Sequence, residues 1–536
     1  MKINPGVFPT KTDAWTPAAW YKRLRKTLSS DLGVLLLLSL GWGILLTITI
    51  FVASRQYGFH RDELALLDNS QYLGWGYVDY PPLVPFLAQI EMALFGLSPV
   101  GIRSFPILAA CLVLLLTGLM AHELGASRKA QIVAGLAAVS APLLLFNGLF
   151  LSYSTFDYLW WVVIAYFMIR LLKSEDPRWW LGIGMAIGLG AMTKYSIAYL
   201  MIGIAAGVLF TPARRYLKSP WLWAGAALAA LIVLPNLVWQ AQHQWITIRF
   251  TSSIHIRDIG WGRTSLLSFL SSQFYVNTNA GAIALWMIGF GYCARSAEGR
   301  RFRTLAWMAA VPFGLFLVSQ GRFYYPAPIY PMLIAAGSYQ VERMWETLSG
   351  KSLRRWRGWQ YRGLAVSSLL GMAVTLPLAP VNSVWWQISA AANGEIREEI
   401  GWQELVQIIA GIRDSLPDSE RAGLGILAGN YGEAGAINLY GPTYGLPTAI
   451  SGMNTYWLRG YGDPPPQTLI VVGFPEQELK RIFLGCQAAG QITNRFGIQN
   501  VESGDDPVVA INPVIYICRN LRQPWPEFWK SFQYFG

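Results

Sequence analysis

The chain has 536 residues, of which 53% are hydrophobic and only 13% charged, with 24 Trp, 25 Tyr and a net charge of +12. An ordinary soluble domain carries about 25% charged residues, so the composition excludes that class and points to an integral membrane protein. The basic surplus reads as a topology signal rather than a nucleic-acid surface, because Lys and Arg gather on the cytoplasmic side of spanning helices.

Residues 1–30 form an N-terminal segment in which Lys22, Arg23, Arg25 and Lys26 precede the first apolar run, 32–52. That run reaches the roughly 20 residues needed to cross a bilayer. It lacks a small-residue cleavage site, so a retained anchor with a cytoplasmic N-terminus is expected. Further apolar windows bring the expectation to about eleven transmembrane helices. They fall at 31–53, 100–121, 131–149, 156–173, 179–193, 195–210, 221–239, 279–294, 304–319, 324–341 and 362–380.

The connecting loops alternate in charge. One set holds Arg128/Lys129, Lys173/Arg178, Arg214/Arg215/Lys218, Arg295/Arg300/Arg301/Arg303 and Lys351/Arg354/Arg355/Arg357; the other holds few basic residues. The positive-inside rule sends the basic set to the cytoplasm. The first outer loop, 54–99, then faces the opposite side with 148–155, the turn at Lys194, 240–277 and 321–324. Within that loop, 83–97 is apolar but short, which suits an interfacial helix with Glu91 exposed; 265–274 reads the same way.

From residue 381 the texture becomes mixed, with strand-like runs at 425–428, 468–472 and 508–517 and a helical stretch at 475–483. The expected fold is thus a polytopic all-α membrane region, 31–380, carrying a soluble α/β domain, 381–536. Glycines 425, 429 and 432 lack the GxGxxG spacing, so they are turn glycines rather than a nucleotide loop. Cys486 and Cys518 share this domain and can pair in an oxidising compartment. Four scattered histidines and no CxxC argue against a zinc site.

Chemistry gathers on the outer face. Asp62, Glu63 and Asp79 lie in the first outer loop, and Asp157, Lys194 and Arg322 fall at the outer ends of the fourth, fifth and ninth spans. Ionisable groups near membrane depth are costly and mark functional sites. A positioned carboxylate can take a proton from an attacking hydroxyl, while Lys and Arg hold phosphate. Structural readings stand beside these: Arg103 as a helix-end anchor, Asp157 as a cap, Lys194 reaching up to the interface and His60 as a packing residue. A secondary transporter is the rival class, although transporters place charge near the midplane between related halves, and no repeat is visible here.

The run Asp62-Glu63…Trp75-Gly76-Tyr77-Val78-Asp79-Tyr80-Pro81-Pro82-Leu83 resembles the first periplasmic loop of bacterial family 39 glycosyltransferases. Arg103, Asp157, Thr193-Lys194-Tyr195, Leu234-Pro235-Asn236 and Gly321-Arg322-Phe323-Tyr324-Tyr325-Pro326 extend the resemblance. So does the outer-domain run Gly429-Asn430-Tyr431-Gly432-Glu433-Ala434-Gly435-Ala436. It implies a GT-C fold in the bacterial inner membrane, with active site and C-terminal domain extracytoplasmic. The implied activity is inverting transfer of a hexosyl or pentosyl group from a polyprenyl-phosphate-linked sugar donor to a lipid A-like glycolipid, a glycan or a protein.

Carried over by position, the resemblance makes Asp62 the catalytic base and Glu63 its orienting neighbour. Asp79 and Asp157 serve the acceptor or loop order, while Lys194, Arg322, Tyr325, Tyr80 and Arg103 form the donor-phosphate group. Tyr80 departs from the His or Lys of relatives and offers a hydrogen bond without charge. No cofactor is required, although Asp79 is the type of ligand that Mg²⁺ or Ca²⁺ takes.

Overall fold

The computed structural model describes residues 30–262, 264–347, 351–498 and 513–536. Five helices in it are long and apolar enough to cross a membrane: Asp31–Ala53, Pro99–Leu124, Tyr153–Ser174, Pro220–Gln242 and Glu298–Val318. Ile197–Phe210 and Pro212–Lys218, bent by 101°, make a sixth if taken as one span. The chain is a multi-pass membrane protein, but the eleven apolar windows do not become eleven helices of spanning length. The window at 131–149 breaks into Arg128–Val139 and Pro142–Asn147, because Pro142 fits only the first turn of a helix. Trp179–Ala191 and Ala280–Arg295 are shorter apolar helices.

Close packing holds this bundle where side chains are absent. Gly184 on Trp179–Ala191 meets Gly225 on Pro220–Gln242, and a Cβ at Gly184 would sit 2.0 Å from the Gly225 carbonyl oxygen. Small residues permit such approach between apolar helices, where dispersion rather than water expulsion drives association. The outer surface of Pro220–Gln242 stays exposed through Trp223, Leu231 and Leu234, as a lipid-facing helix requires.

The segment 54–99 is more ordered than its charge suggests. It contains the helices Arg61–Asn69 and Leu83–Phe95. Glu91, expected to be exposed, is instead fully buried. Its Oε1 accepts the Phe105 backbone N–H at 2.6 Å, serving the open amides at the start of helix Ser104–Leu124. The second interfacial candidate forms the helix Leu266–Tyr275, with Leu266 and Leu267 exposed.

Beyond helix Lys351–Thr375 the chain builds a five-stranded sheet. Its strands are β1 (Leu424–Ala428), β2 (Ala449–Ile450), β3 (Thr468–Val472), β4 (Phe483–Gln491) and β5 (Val514–Leu521), in the order β2-β1-β3-β5-β4. β1 runs parallel to β2 and β3; β5 is antiparallel to β3 and β4. Strand alternation sends Ile426, Ile470 and Ile517 to one core and Leu427, Val471 and Cys518 to another. The first of these cores is continuous with that of the membrane helices. Cys486 lies opposite Cys518 across β4 and β5, and the two form a disulfide. The expected strand at 508–517 lies partly outside the described residues, its remainder opening β5.

This domain docks directly on the acidic loop. Helix Tyr431–Tyr440 packs against Arg61–Asn69 so closely that a Cβ at Gly435 would fall 2.7 Å from the Leu64 carbonyl carbon. At the turn before that helix, Glu433 Oε2 accepts the amides of Gly429 (3.0 Å) and Asn430 (3.3 Å). The space a phosphate would use in a glycine-rich turn therefore already holds a carboxylate.

Candidate active site

His60 opens helix Arg61–Asn69 as its N-cap. Its Nδ1 accepts the Asp62 amide at 3.1 Å, and Glu63 Oε2 accepts the His60 amide at 2.8 Å, which completes a capping box. The two acids thus occupy the first helical turn, where the helix dipole favours negative charge. Their side chains diverge. Glu63 is fully buried and bound by Arg103 through Nε (3.0 Å) and Nη2 (2.7 Å), with the Leu151 amide at 2.7 Å. Arg103 Nη2 also reaches Glu399 (3.2 Å) and the Gly58 carbonyl (3.0 Å). Arg103 is 1% exposed and faces two carboxylates, so it is not placed to meet a donor phosphate. Glu63 is a buried anchor that fixes the turn on which Asp62 sits.

His60 belongs to the same frame. Its Nε2 lies 3.1 Å from Glu395. Burial opposes the charged imidazolium, but the Glu395 bond and the charges of Asp62, Glu395 and Glu399 outweigh it and raise the group to about 9.

Asp62 keeps a 30% exposed side chain and accepts the Tyr431 hydroxyl on Oδ1 at 2.9 Å. Asp79 is close enough to feel its charge and accepts the Thr455 hydroxyl at 3.0 Å. Burial pushes the Asp79 carboxyl up to about 6; Asp62 adds to the rise, while hydrogen bonds from its own amide, Thr455 and Asn454 oppose it. The folded protein therefore holds this proton more tightly than an unfolded chain, whose carboxyl ionises near 3.8. Stability from this group is fully present below that value and falls as pH rises through about 6. Asp79→Asn is accordingly expected to raise the melting temperature in detergent by about 2 °C at pH 7.5 and by less at pH 4.5, as scanning fluorimetry can show. A larger gain at the lower pH would contradict the sign.

Tyr80, expected near donor phosphate, is 4% exposed. Its hydroxyl meets the Asn69 amide, and its ring packs 5.3 Å from Tyr77 and 5.8 Å from Tyr153. That position offers packing and no opening toward a ligand.

Lys194 has the opposite character. Its ammonium lies over the rings of Tyr153 (5.2 Å), Tyr324 (5.3 Å) and Tyr325 (4.7 Å) and donates to Ser154 Oγ at 3.1 Å. Among the described residues no carboxylate stands within ion-pair distance of it. Asp157, 5% exposed, accepts Trp161 Nε1 (3.2 Å) and the Ser196 hydroxyl (2.8 Å), so it braces the wall around Lys194. It does not cap its helix; Ser152 does. Arg322 gives Nε and Nη2 to Asp258 at 2.6 and 3.1 Å and Nη1 to the Tyr324 hydroxyl at 3.3 Å. Its fork is largely taken, which leaves Lys194 as the principal positive charge. Tyr153 joins the two halves, because its hydroxyl lies within electrostatic reach of Asp62, Arg322, Tyr324 and Tyr325.

Several participants carried no sequence signal. Asp258 sits on helix Ile246–Gly260, and Glu395, Glu399, Thr455 and Arg459 come from beyond the membrane helices. Arg459 reaches Asp68 at 2.5 Å and the Asn69 side chain, with Tyr72 and Tyr456 rings at 4.2 and 4.4 Å. Tyr431 lay within a run already noted, though its reach to Asp62 was not foreseeable. Among the described residues no three His, Cys, Asp or Glu side chains gather into a metal cluster, so a cation at Asp79 would lack a third such ligand.

Comparison with known proteins follows the same outline. A family profile described as dolichyl-phosphate-mannose-protein mannosyltransferase matches residues 79–239. Lipid A galacturonosyltransferase RgtD of Rhizobium johnstonii is 28% identical over 273 residues, covering 49% of this chain and 55% of that protein. An undecaprenyl phosphate-alpha-4-amino-4-deoxy-L-arabinose arabinosyl transferase of Pseudomonas aeruginosa is 23% identical over 341 residues, covering 58% of each. The chain thus matches little more than half the length of these curated relatives. The crystal structure of ArnT from Cupriavidus metallidurans bound to undecaprenyl phosphate superposes with a TM-score of 0.52 at 14% identity, covering 94% of this chain and 98% of that one. That likeness shows the fold, and the profile and the relatives agree with it in supporting the resemblance to family 39 glycosyltransferases.

Proposed function

We propose that the chain is an inverting glycosyltransferase that moves a sugar from a polyprenyl-phosphate donor to a hydroxyl of an envelope glycolipid or glycan, at the extracytoplasmic face of the inner membrane. One observation carries this reading: an ammonium without an ion-pair partner among the described residues, caged by three tyrosines, one of which, Tyr153, also lies within electrostatic reach of the partly exposed carboxylate Asp62 at a helix N-terminus. The relatives named for lipid A galacturonosyl transfer and for an undecaprenyl-phosphate aminoarabinose donor supply the substrate class.

In this scheme Asp62 takes the proton of the acceptor hydroxyl as that oxygen bonds to the anomeric carbon. The bond from that carbon to the phosphate oxygen breaks, and the polyprenyl phosphate leaves with the electron pair. Lys194 lies where that charge develops, and its fixed position lowers the barrier without reorganising solvent. Arg322, tied to Asp258, holds Tyr324 against the ammonium.

In cells lacking the protein, mass spectrometry is expected to show one envelope lipid or glycan short of a sugar mass. Re-expression restores it, whereas Lys194→Gln restores little. Loss of a charged hydrogen bond to the phosphate weakens donor binding by about 10- to 100-fold. An identical envelope profile in all strains would sink the proposal.

A further inference from the structure

Three acids of the loop, Asp62, Asp68 and Asp79, are gripped from the C-terminal domain. Asp62 meets Tyr431, Asp68 meets Asn438 (3.1 Å) and Arg459 (2.5 Å), and Asp79 meets Thr455. The partners lie roughly 370 to 390 residues away in the chain, so this is a tertiary interface and not local capping. The contact on Asp62 differs from the others. Asp68 is buried, and its bonds only hold the domain down. Asp62 remains 30% exposed, and both the Tyr431 hydroxyl (2.9 Å) and the Arg61 Nε (3.8 Å) approach the same oxygen, Oδ1.

We infer that Tyr431 is a positioning residue for sugar transfer: its hydroxyl pins Asp62 through Oδ1 so that the other carboxylate oxygen is turned toward the acceptor hydroxyl. The residue is built for this placement. Asn430 caps its helix by accepting the Glu433 amide at 2.9 Å, which fixes Tyr431 in the first turn. Gly432 and Gly435 then let that helix approach Arg61–Asn69 at backbone distance; a Cβ at Gly432 would lie 2.9 Å from the Arg61 Cβ. The Arg61 guanidinium covers the Tyr431 ring at 5.1 Å, so the ring has few alternative orientations. A tyrosine is suited to the task because it adds a short hydrogen bond to Oδ1 and no further charge, where Arg61 already stands 3.8 Å away. The C-terminal domain is then part of the reaction centre, and docking it completes the site.

The inference rests on Asp62 being the base, so the test pairs Tyr431→Phe with Asp62→Asn in the full-length protein. Phenylalanine keeps the ring under Arg61 and removes only the donor. Tyr431→Phe is expected to lower kcat about tenfold with the donor KM unchanged. Asn438→Ala, which loosens the same docking through Asp68, is expected to lower the melting temperature without reproducing that kcat loss at a temperature where it is folded. If Asp62→Asn is inactive while Tyr431→Phe keeps the wild-type kcat, the positioning role is wrong and the base survives. If Asp62→Asn itself retains wild-type turnover, the assignment of the base falls as well.

Discussion

Replacing Asp62 by asparagine is expected to cut sugar transfer by about 10²–10⁴-fold, the usual contribution of a general base, in a protein that remains folded. The fold should survive because the helix start does not depend on this side chain. His60 and Glu63 form the capping box, and asparagine still offers an oxygen to the Tyr431 hydroxyl. Measured turnover of a polyprenyl-phosphate-linked sugar, with melting temperature as the folding control, decides the matter. Near wild-type turnover would remove Asp62 from the mechanism. The neighbouring acid serves as the contrast: Glu63→Gln weakens a buried ion pair and should act first on stability, because Glu63 accepts bonds from Arg103, His60 and Leu151 and is fully buried.

The second large effect is expected at Arg103. Arg103→Met leaves Glu63 and Glu399 buried beside each other without their shared cation. Removing one partner of a buried pair costs about 3–5 kcal/mol, since the remaining charge has lost both water and its counter-charge. The variant should denature at clearly lower temperature in detergent, and protease should reach the first outer loop and the C-terminal domain earlier than in the wild type. Unchanged melting and proteolysis would show that the Arg103 network does not join the two parts. A donor-binding defect with intact stability would instead return Arg103 to the phosphate group expected from sequence.

These contrasts show which residues could be understood before the fold was known. Lys194 drew notice because a cation at the end of an apolar window is costly unless it reaches the interface or meets a partner. Of the three tyrosines around it only Tyr325 was expected at the site; Tyr153 and Tyr324 were not singled out. β1 and β3 stood out as short aliphatic stretches, and the structure places them at Leu424–Ala428 and Thr468–Val472. β4 did not, because FLGCQAAGQ is poor in the branched and aromatic residues that mark strands; it is held by pairing with β5. Glu91 misled for a related reason. Its polarity suggested exposure, yet the first helical amides of the next segment needed an acceptor in the interior.

Apolar length, loop charge and strand alternation are properties of neighbouring residues. The sequence by itself therefore determined a multi-pass membrane chain with an α/β domain after it, and placed the acids and bases of the site at loop and helix ends. Only the tertiary structure decided which acid stays exposed and which is buried. Asp62 and Glu63 are adjacent and chemically similar, and what separates them is a buried arginine forty positions on and a tyrosine 369 positions on. Burial and hydrogen-bond partners set a carboxylate's role, and both come from packing between distant segments that no local pattern encodes.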